Sequence, residues 1–588
     1  MDEPRRSPTR RACRGATLAI AAVLALAPPV ASAAELDPMS RFHPAQAARH
    51  MVVTQEAEAS RVGLEVLRAG GNAVDAAVAV GFALAVTMPR AGNLGGGGFM
   101  IVHMERGDED ETVAIDYRET APAAADRDMF LDDGGEVSPR LSRSSGLSVG
   151  VPGTVAGLAL AHERYGSGRF TLAELVRPAV GLAREGFAVS PGLANALRSA
   201  FLRDRLMADE AAAALFYPGG EPLAAGATIT APELAASLER IAAEGPAGFY
   251  EGPTAEAIVA AVTARGGRMT TADLAAYRPV VREPVRGTFK GYDVVSMPPP
   301  SSGGVHLVQM LNILEPAHFG TWGVNGAEMI HMMAEAARRA YADRALYVGD
   351  PGFVDVPVER LVSPQYAERL RSGIDMTRAT PSSQIGADRE ALMAESDETT
   401  HFSIVDGEGN AVSNTTTLNF SFGVGFMAEG TGILLNNQLA DFAAAPGVPD
   451  RYGVPGAEAN AVAPGKRPLS SMTPTILLRD GRVVLVTGSP GGSRIITTVL
   501  QIILNATVHF RDIATATALP RVHHEWLPDH IRIERGISHD TIRLLEEKGH
   551  QVRVQPVMGA AQSIRVGSDG TLHGVSDMRV PGGLAAGD

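Results

Sequence analysis

Two hydroxyl-rich stretches hold the residues of this chain best suited to acyl chemistry: Glu398-Thr399-Thr400-His401-Phe402-Ser403 and Thr415-Thr416-Thr417-Leu418-Asn419. A threonine hydroxyl inside a chain is a poor nucleophile, because no strong base is attached to it. Cutting the bond before it frees its own α-amine, which can then take the hydroxyl proton. Thr399-Thr400 follows a polar, turn-rich lead-in and opens an alternating strand, as expected of a chain that cuts itself to make its nucleophile. Asp406-Gly407-Glu408-Gly409-Asn410 reads as a turn between two strands. A hairpin centred on Glu408 sets Thr399 opposite Thr417, with Cβ atoms about 4.5–5.5 Å apart. The Thr417 hydroxyl then reaches and orients that of Thr399. A slip of one residue would put the two side chains on opposite faces. Alone, the triplet is also an ordinary strand start, and the threonines equally suit a solvent-facing pair.

Other stretches offer binding groups. Val486-Thr487-Gly488-Ser489-Pro490-Gly491-Gly492-Ser493-Arg494 reads as strand, glycine turn and helix start. Bare N–H groups there suit an oxyanion, or the stretch is only a tight turn. It lacks the Lys-[Ser/Thr] ending of a phosphate loop. Arg118, at a strand end, can clamp a carboxylate with two hydrogen bonds, or pair locally with Glu119 or Asp116. Asn436-Asn437-Gln438 and Asp441 suit an ammonium or serve as loop caps. Ser470-Ser471 can donate to a carboxylate. His523-His524 and the other histidines show no metal spacing, and no metal or cofactor is assigned.

These groups need elements to position them. The spacing predicts helices over 57–67, 73–88, 155–165, 172–185, 231–244, 254–265 and 328–347, and another from Gly491-Gly492-Ser493 to about Val508. It predicts strands over 99–103, 112–117, 399–405, 411–418, 475–478, 483–487, 530–534 and 551–557. Residues 370–398 and the Gly/Pro/Ala-rich 441–470 read as loops. A loop as long as the latter is more often functional than idle.

The 588 residues include 52 Lys+Arg and 66 Asp+Glu, a net charge of −14, which argues against broad nucleic-acid or anionic-membrane binding. Residues 1–33 carry the pattern of a secretory signal peptide: Arg5, Arg6, Arg10, Arg11 and Arg14, a short apolar run, then Ala31-Ser32-Ala33. Cys13, the only cysteine, lies inside it, so the mature chain would have no disulfide and no thiol nucleophile. A periplasmic or secreted protein without a membrane anchor is expected.

Taken together, the motifs resemble those of the γ-glutamyltranspeptidase family of N-terminal-nucleophile hydrolases. The likeness runs through 70–77, 92–100, 116–119, 297–304, 341–344, 399–401, 432–438, 466–472 and 488–494. It implies an α+β fold, a four-layer αββα sandwich, cut into a large subunit (34–398) and a small catalytic subunit (399–588) that form a heterodimer. Thr399 would be the nucleophile, oriented by Thr417, with an oxyanion hole at Gly491 and Gly492. Arg118, Ser470 and Ser471 would hold the α-carboxylate of a γ-glutamyl group, and Asn419, Gln438 and Asp441 its α-amine. Glutathione would be the donor, with water, amino acids or dipeptides as acceptors. The alternative within the same fold is a cephalosporin or glutaryl acylase.

Two departures and one agreement matter. Glu398 stands where family members often carry an amide. Ala440 replaces a second acid beside Asp441. A lid segment, 442–465, is present with Tyr452, which favours the transpeptidase over the acylase.

Overall fold

The hairpin forms in the expected register: Thr400 pairs with Thr416, His401 with Thr415, and so on to Val405 with Ala411. Asp406 closes the turn, its carboxylate accepting from the Glu408 and Asn410 N–H groups. In this computed structural model, which describes residues 42–385, 398–444 and 458–588, the hairpin lies at the centre of a seven-stranded sheet. The strand order is Leu584–Gly587, Met51–Thr54, Thr400–Val405, Ala411–Thr417, Gly97–Met104, Glu111–Asp116, Val280–Arg282. A second seven-stranded sheet faces it, in the order Ala45–Ala47, Leu572–Ser576, Gln562–Val566, Arg482–Gly488, Thr475–Arg479, Tyr292–Ser296, Val285–Phe289.

The alternation of side chains decides what each face meets. Phe402, Ile404 and Val412 join the core formed with helices Ala57–Arg68, Ala73–Thr87, Thr154–Tyr165 and Leu172–Glu185. Val405 and Ala411, of the other parity, join a core with Ile476, Leu477 and Val486 of the facing sheet. That core also takes up helices Gly303–Leu314, Ala327–Tyr347 and Arg494–Thr507. The result is the expected order of helices, sheet, sheet, helices. Thr399 and Thr417 share the parity of Val405 and Ala411, so they belong to the face between the sheets.

The buried helix Ala73–Thr87 is apolar on every side, as its alanine-rich sequence requires. Asn72 caps it in a reciprocal box with Asp75. Asp406 of the hairpin turn accepts from the Ala73 N–H at 2.9 Å, putting a carboxylate at the positive end of the helix.

Several strands were not expected from the pattern. Val280–Arg282, Val285–Phe289 and Tyr292–Ser296 are short and flanked by Gly and Pro. At the C-terminus Gln562–Val566, Leu572–Ser576 and Leu584–Gly587 complete both sheets. The long helix begins at Ala327, and Pro364–Ser372 extends a helix into the stretch read as loop. The signal-peptide residues 1–33, most of the proposed lid and Tyr452 lie outside the described residues.

Candidate active site

Thr399 immediately precedes the first strand residue of the hairpin and is buried. Its Oγ1 donates toward Thr417 Oγ1 at 3.5 Å. Thr417 Oγ1 donates to the Glu398 carbonyl oxygen at 2.8 Å and accepts from the Asn419 N–H at 2.8 Å. A hydroxyl has one hydrogen to give and two lone pairs to accept with, so Thr417 is fully used by these three contacts. Asn419 reaches this position by adopting φ of 76°, a left-handed conformation that asparagine tolerates. Asn93 holds the end of the strand, donating to Thr416 Oγ1 at 3.2 Å and to the Thr417 carbonyl at 3.0 Å.

His401 lies on the inter-sheet face beside the hydroxyl pair. Its Nδ1 meets Thr415 Oγ1 at 2.8 Å, and burial pushes the imidazole down to about 3. It is neutral at working pH and packs the site. A Cβ on Gly488 would stand 2.2 Å from the His401 ring, so the facing strand comes this close only as glycine. The Gly491-Gly492 turn therefore begins at the Thr399 end of the hairpin. Gly491 has φ of 135° and Gly492 of 57°. Tyr341 of the long helix donates to the Ser493 carbonyl and fixes the turn from behind.

Arg118 is drawn into the same sheet row. Thr417 pairs with Gly97, and Gly98 exchanges hydrogen bonds with Tyr117, so Arg118 follows one step on. Its local ion-pair partners are not the ones it takes. Nη2 donates to Asp441 Oδ2 at 2.6 Å and to the Leu469 carbonyl at 2.8 Å, and Nε donates to the Pro468 carbonyl at 3.3 Å. Nη1 makes no hydrogen bond among the described residues. The bond to Leu469 ties the guanidinium to the residue that precedes Ser470-Ser471. The Ser470 carbonyl is clamped by the N–H and hydroxyl of Ser302, both at 2.8 Å.

Asp441 and Gln438 form the other half of the site. Gln438 Nε2 donates to Asp441 Oδ2 at 2.7 Å, which turns its Oε1 away. That oxygen is a buried acceptor with no partner among the described residues. Burial raises the Asp441 carboxyl above the usual carboxylate range, against the pull of Arg118 and the Gln438 amide. An orphan buried acceptor carries a desolvation cost that a ligand donor would relieve. Asn419 donates to the Asn437 carbonyl at 3.0 Å, which ties it to the same loop.

Two charged groups were not singled out in the sequence. Glu119 is fully buried with neither oxygen hydrogen-bonded among the described residues. Burial pushes its carboxyl up to about 8, outweighing the nearby Arg118. Gly97 leaves its space, since a Cβ there would stand 2.6 Å from Glu119 Oε2. Arg344 donates to Ser302 Oγ at 2.9 Å and supports the clamp on Ser470. Its place within Tyr341-Ala342-Asp343-Arg344, a motif of the resemblance, was the available signal.

Among the described residues one group, His331, Glu335 and His550, brings three possible metal-ligand atoms within 4.8 Å of one another. Glu335 already accepts from Arg338, Arg339 and the Thr380 N–H. His331 Nδ1 meets His550 Nε2 at 2.7 Å. The carboxylate is engaged by two cations, so this is a hydrogen-bonded cluster of the outer helical layer, remote in sequence from the hairpin.

A sequence profile described as Gamma-glutamyltranspeptidase matches residues 59–587. The chain is 52% identical over 561 residues to the glutathione hydrolase proenzyme of Escherichia coli (strain K12), covering 95% of each. It is 39% identical over 547 residues to the acylase ACY 1 proenzyme of Pseudomonas sp. (strain SE83), covering 92% of this chain and 94% of that one. Among solved structures it resembles a cephalosporin acylase from Bacillus halodurans, with a TM-score of 0.80 at 26% identity over 94% of this chain and 98% of that one.

Proposed function

This chain belongs to the γ-glutamyltranspeptidase family, and on that premise we propose that it cuts itself before Thr399 and then uses the freed threonine on γ-glutamyl compounds. Its activity is that of a γ-glutamyltransferase and glutathione hydrolase with an N-terminal threonine nucleophile. The observation that carries this reading is the hydroxyl chain from Thr399 through Thr417 to the Glu398 carbonyl. In the intact chain Thr399 Oγ attacks the Glu398 carbonyl carbon, with Thr417 polarising the carbonyl. The C–N bond breaks and the nitrogen takes the hydroxyl proton. This leaves Glu398 as an ester on Thr399 Oγ beside a free α-amine. Water cleaves the ester, giving subunits 34–398 and 399–588, which stay together as a heterodimer.

The freed amine has an ordinary pKa near 8, close enough to neutral to act as general base. It takes the Thr399 hydroxyl proton as Oγ attacks the γ-glutamyl carbonyl. The Gly491 and Gly492 N–H groups take the oxyanion. The leaving amine departs with the proton, and water or the amine of an amino acid or dipeptide then resolves the ester. Arg118, Ser470 and Ser471 hold the substrate α-carboxylate. Gln438 Oε1, Asp441 and Asn419 receive its ammonium. With Ala440 in place of a second acid, the orphan Gln438 oxygen carries more of that recognition.

The basic, apolar and small-residue start of the chain supports export to the periplasm or the medium. No helix among the described residues is long and apolar enough to cross a membrane. Tyr452 and its segment would close the site as a lid.

The acylase reading is separated by kinetics on γ-glutamyl and glutaryl anilides. The two substrates differ only in the α-ammonium, since a glutaryl group keeps the terminal carboxylate. A site built to hold that ammonium rejects the glutaryl compound strongly, because its buried acceptors stay unpaired. Equal kcat/KM on both would favour the acylase.

A further inference from the structure

We propose that Arg90 positions the bond that the chain cuts. This rests on the reading that Thr399 cleaves the Glu398–Thr399 bond. Arg90 Nη1 lies 3.2 Å from Glu398 Oε2, in an ion pair with the arginine side chain 18% exposed and the glutamate 31%. Glu398 is therefore held at its carbonyl by Thr417 and at its side chain by Arg90.

Both holds hang from one frame. Arg90 follows the buried helix Ala73–Thr87, in a turn where the Ala91 and Gly92 N–H groups donate to the Met88 carbonyl. Its carbonyl accepts from the Phe422 N–H at 3.0 Å. Asn93, three residues on, donates to the Ala91, Thr416 and Thr417 backbone or side chain. A Cβ on Gly92 would stand 2.2 Å from the Leu84 carbonyl, so this turn packs directly on the helix. Arg90 and Thr417 thus keep a fixed separation. A peptide group gripped at its carbonyl alone still swings about the adjacent single bonds. Gripping the side chain of the same residue limits that swing and keeps one face of the carbonyl toward Thr399 Oγ. Arg90 touches none of the reacting atoms, so it is a positioning residue, and its work belongs to maturation.

The pairing also gives the acidic residue at this position a partner. Where a carboxylate replaces an amide before the scissile bond, a fixed guanidinium supplies the hold with directional hydrogen bonds.

The test is the rate constant for conversion of freshly refolded full-length precursor into two fragments, followed on denaturing gels. Arg90→Ala and Glu398→Gln should each slow the cut roughly two- to fivefold, the range of a partly exposed ion pair. The exchanged pair Arg90→Glu with Glu398→Arg should recover most of that loss, giving a positive coupling in the double-mutant cycle. Added salt should slow the unaltered precursor and leave Glu398→Gln unaffected. Melting temperatures taken in a Thr399→Ala background report folding separately, and Glu398→Gln serves if the Arg90 variants fold poorly. An unchanged rate in Glu398→Gln, or an exchanged pair as slow as the product of its single changes, overturns this inference. If the unaltered precursor itself is not cut before Thr399, the functional reading fails instead.

Discussion

The Thr417 hydroxyl donates a 2.8 Å hydrogen bond to the carbonyl oxygen of Glu398, the last residue before the proposed nucleophile. The same hydroxyl lies 3.5 Å from Thr399 Oγ1, as the acceptor. One side chain thus touches both the carbonyl and the hydroxyl of the proposed cut. It does so because the strand register puts Thr399 and Thr417 in one row on the inter-sheet face.

Removing that hydroxyl should be felt first in maturation. Thr417→Ala is expected to slow self-cleavage by about a hundredfold or more, comparable to losing one oxyanion donor. Thr417→Ser keeps the group and should cut within about tenfold of the unaltered rate. A gel time course checks both. Cleavage of Thr417→Ala at the original rate would remove Thr417 from the mechanism.

Arg118 is tied to stability as well as to the proposed substrate contact. Arg118→Leu would leave Asp441 buried without its 2.6 Å partner, a loss of about 3–5 kcal/mol for a broken buried pair. Thermal melting should show this as a large drop. In Arg118→Lys the charge remains and the bidentate fork is lost. KM for a γ-glutamyl anilide should rise in that variant by about tenfold or more. A lysine variant with unchanged KM would contradict carboxylate binding at this position.

Glu119 predicts a pH dependence of stability. Its carboxyl titrates near 4.5 in the unfolded chain and is pushed up to about 8 by burial in the fold. A group raised in this way contributes stability fully present below about pH 4.5, and that contribution is lost as pH rises through about 8. Glu119→Gln cannot ionise, so its melting temperature should match the unaltered protein at pH 5 less closely than at pH 4, and exceed it most at pH 9. The gap at pH 9 should correspond to a few kcal/mol, at about 1.4 kcal/mol per pK unit. A gap that does not change with pH would show that Glu119 stays ionised throughout.

Gly488 tests the packing beneath the start of the hairpin. A methyl group there meets His401 at 2.2 Å, with no room between the sheets. Gly488→Ala should destabilise the protein by about 1–3 kcal/mol through overpacking and slow self-cleavage by displacing the start of the hairpin strand. Denaturant unfolding and the gel assay measure the two effects. An alanine variant as stable as the unaltered protein would mean that the ring has space to move.

The hairpin was legible because a five-residue turn and strict alternation fix a register, and the register fixes which hydroxyls meet. The helices were legible for the same reason at a different period. Arg118 shows where local reading stops. Glu119 and Asp116 are its neighbours in sequence, yet its side chain pairs with Asp441, 323 residues away. Chain closure across the sheet decides that choice, and no local pattern carries it. Leu584–Gly587 is a strand because Met51–Thr54 offers it an edge, while its own residues, Leu-Ala-Ala-Gly, favour no strand. The orphan oxygen of Gln438 likewise follows from the direction of its amide toward Asp441, which only the folded loop sets.

The central claim is most directly tested by a denaturing gel of the purified protein beside Thr399→Ala, with N-terminal sequencing of the smaller fragment. The account predicts fragments of ~40 and ~20 kDa, judged from chain length, the smaller beginning at Thr399 and both absent from the alanine variant. A single uncut chain in a preparation that turns over glutathione would contradict it, since Thr399 would then have no free amine to serve as its base.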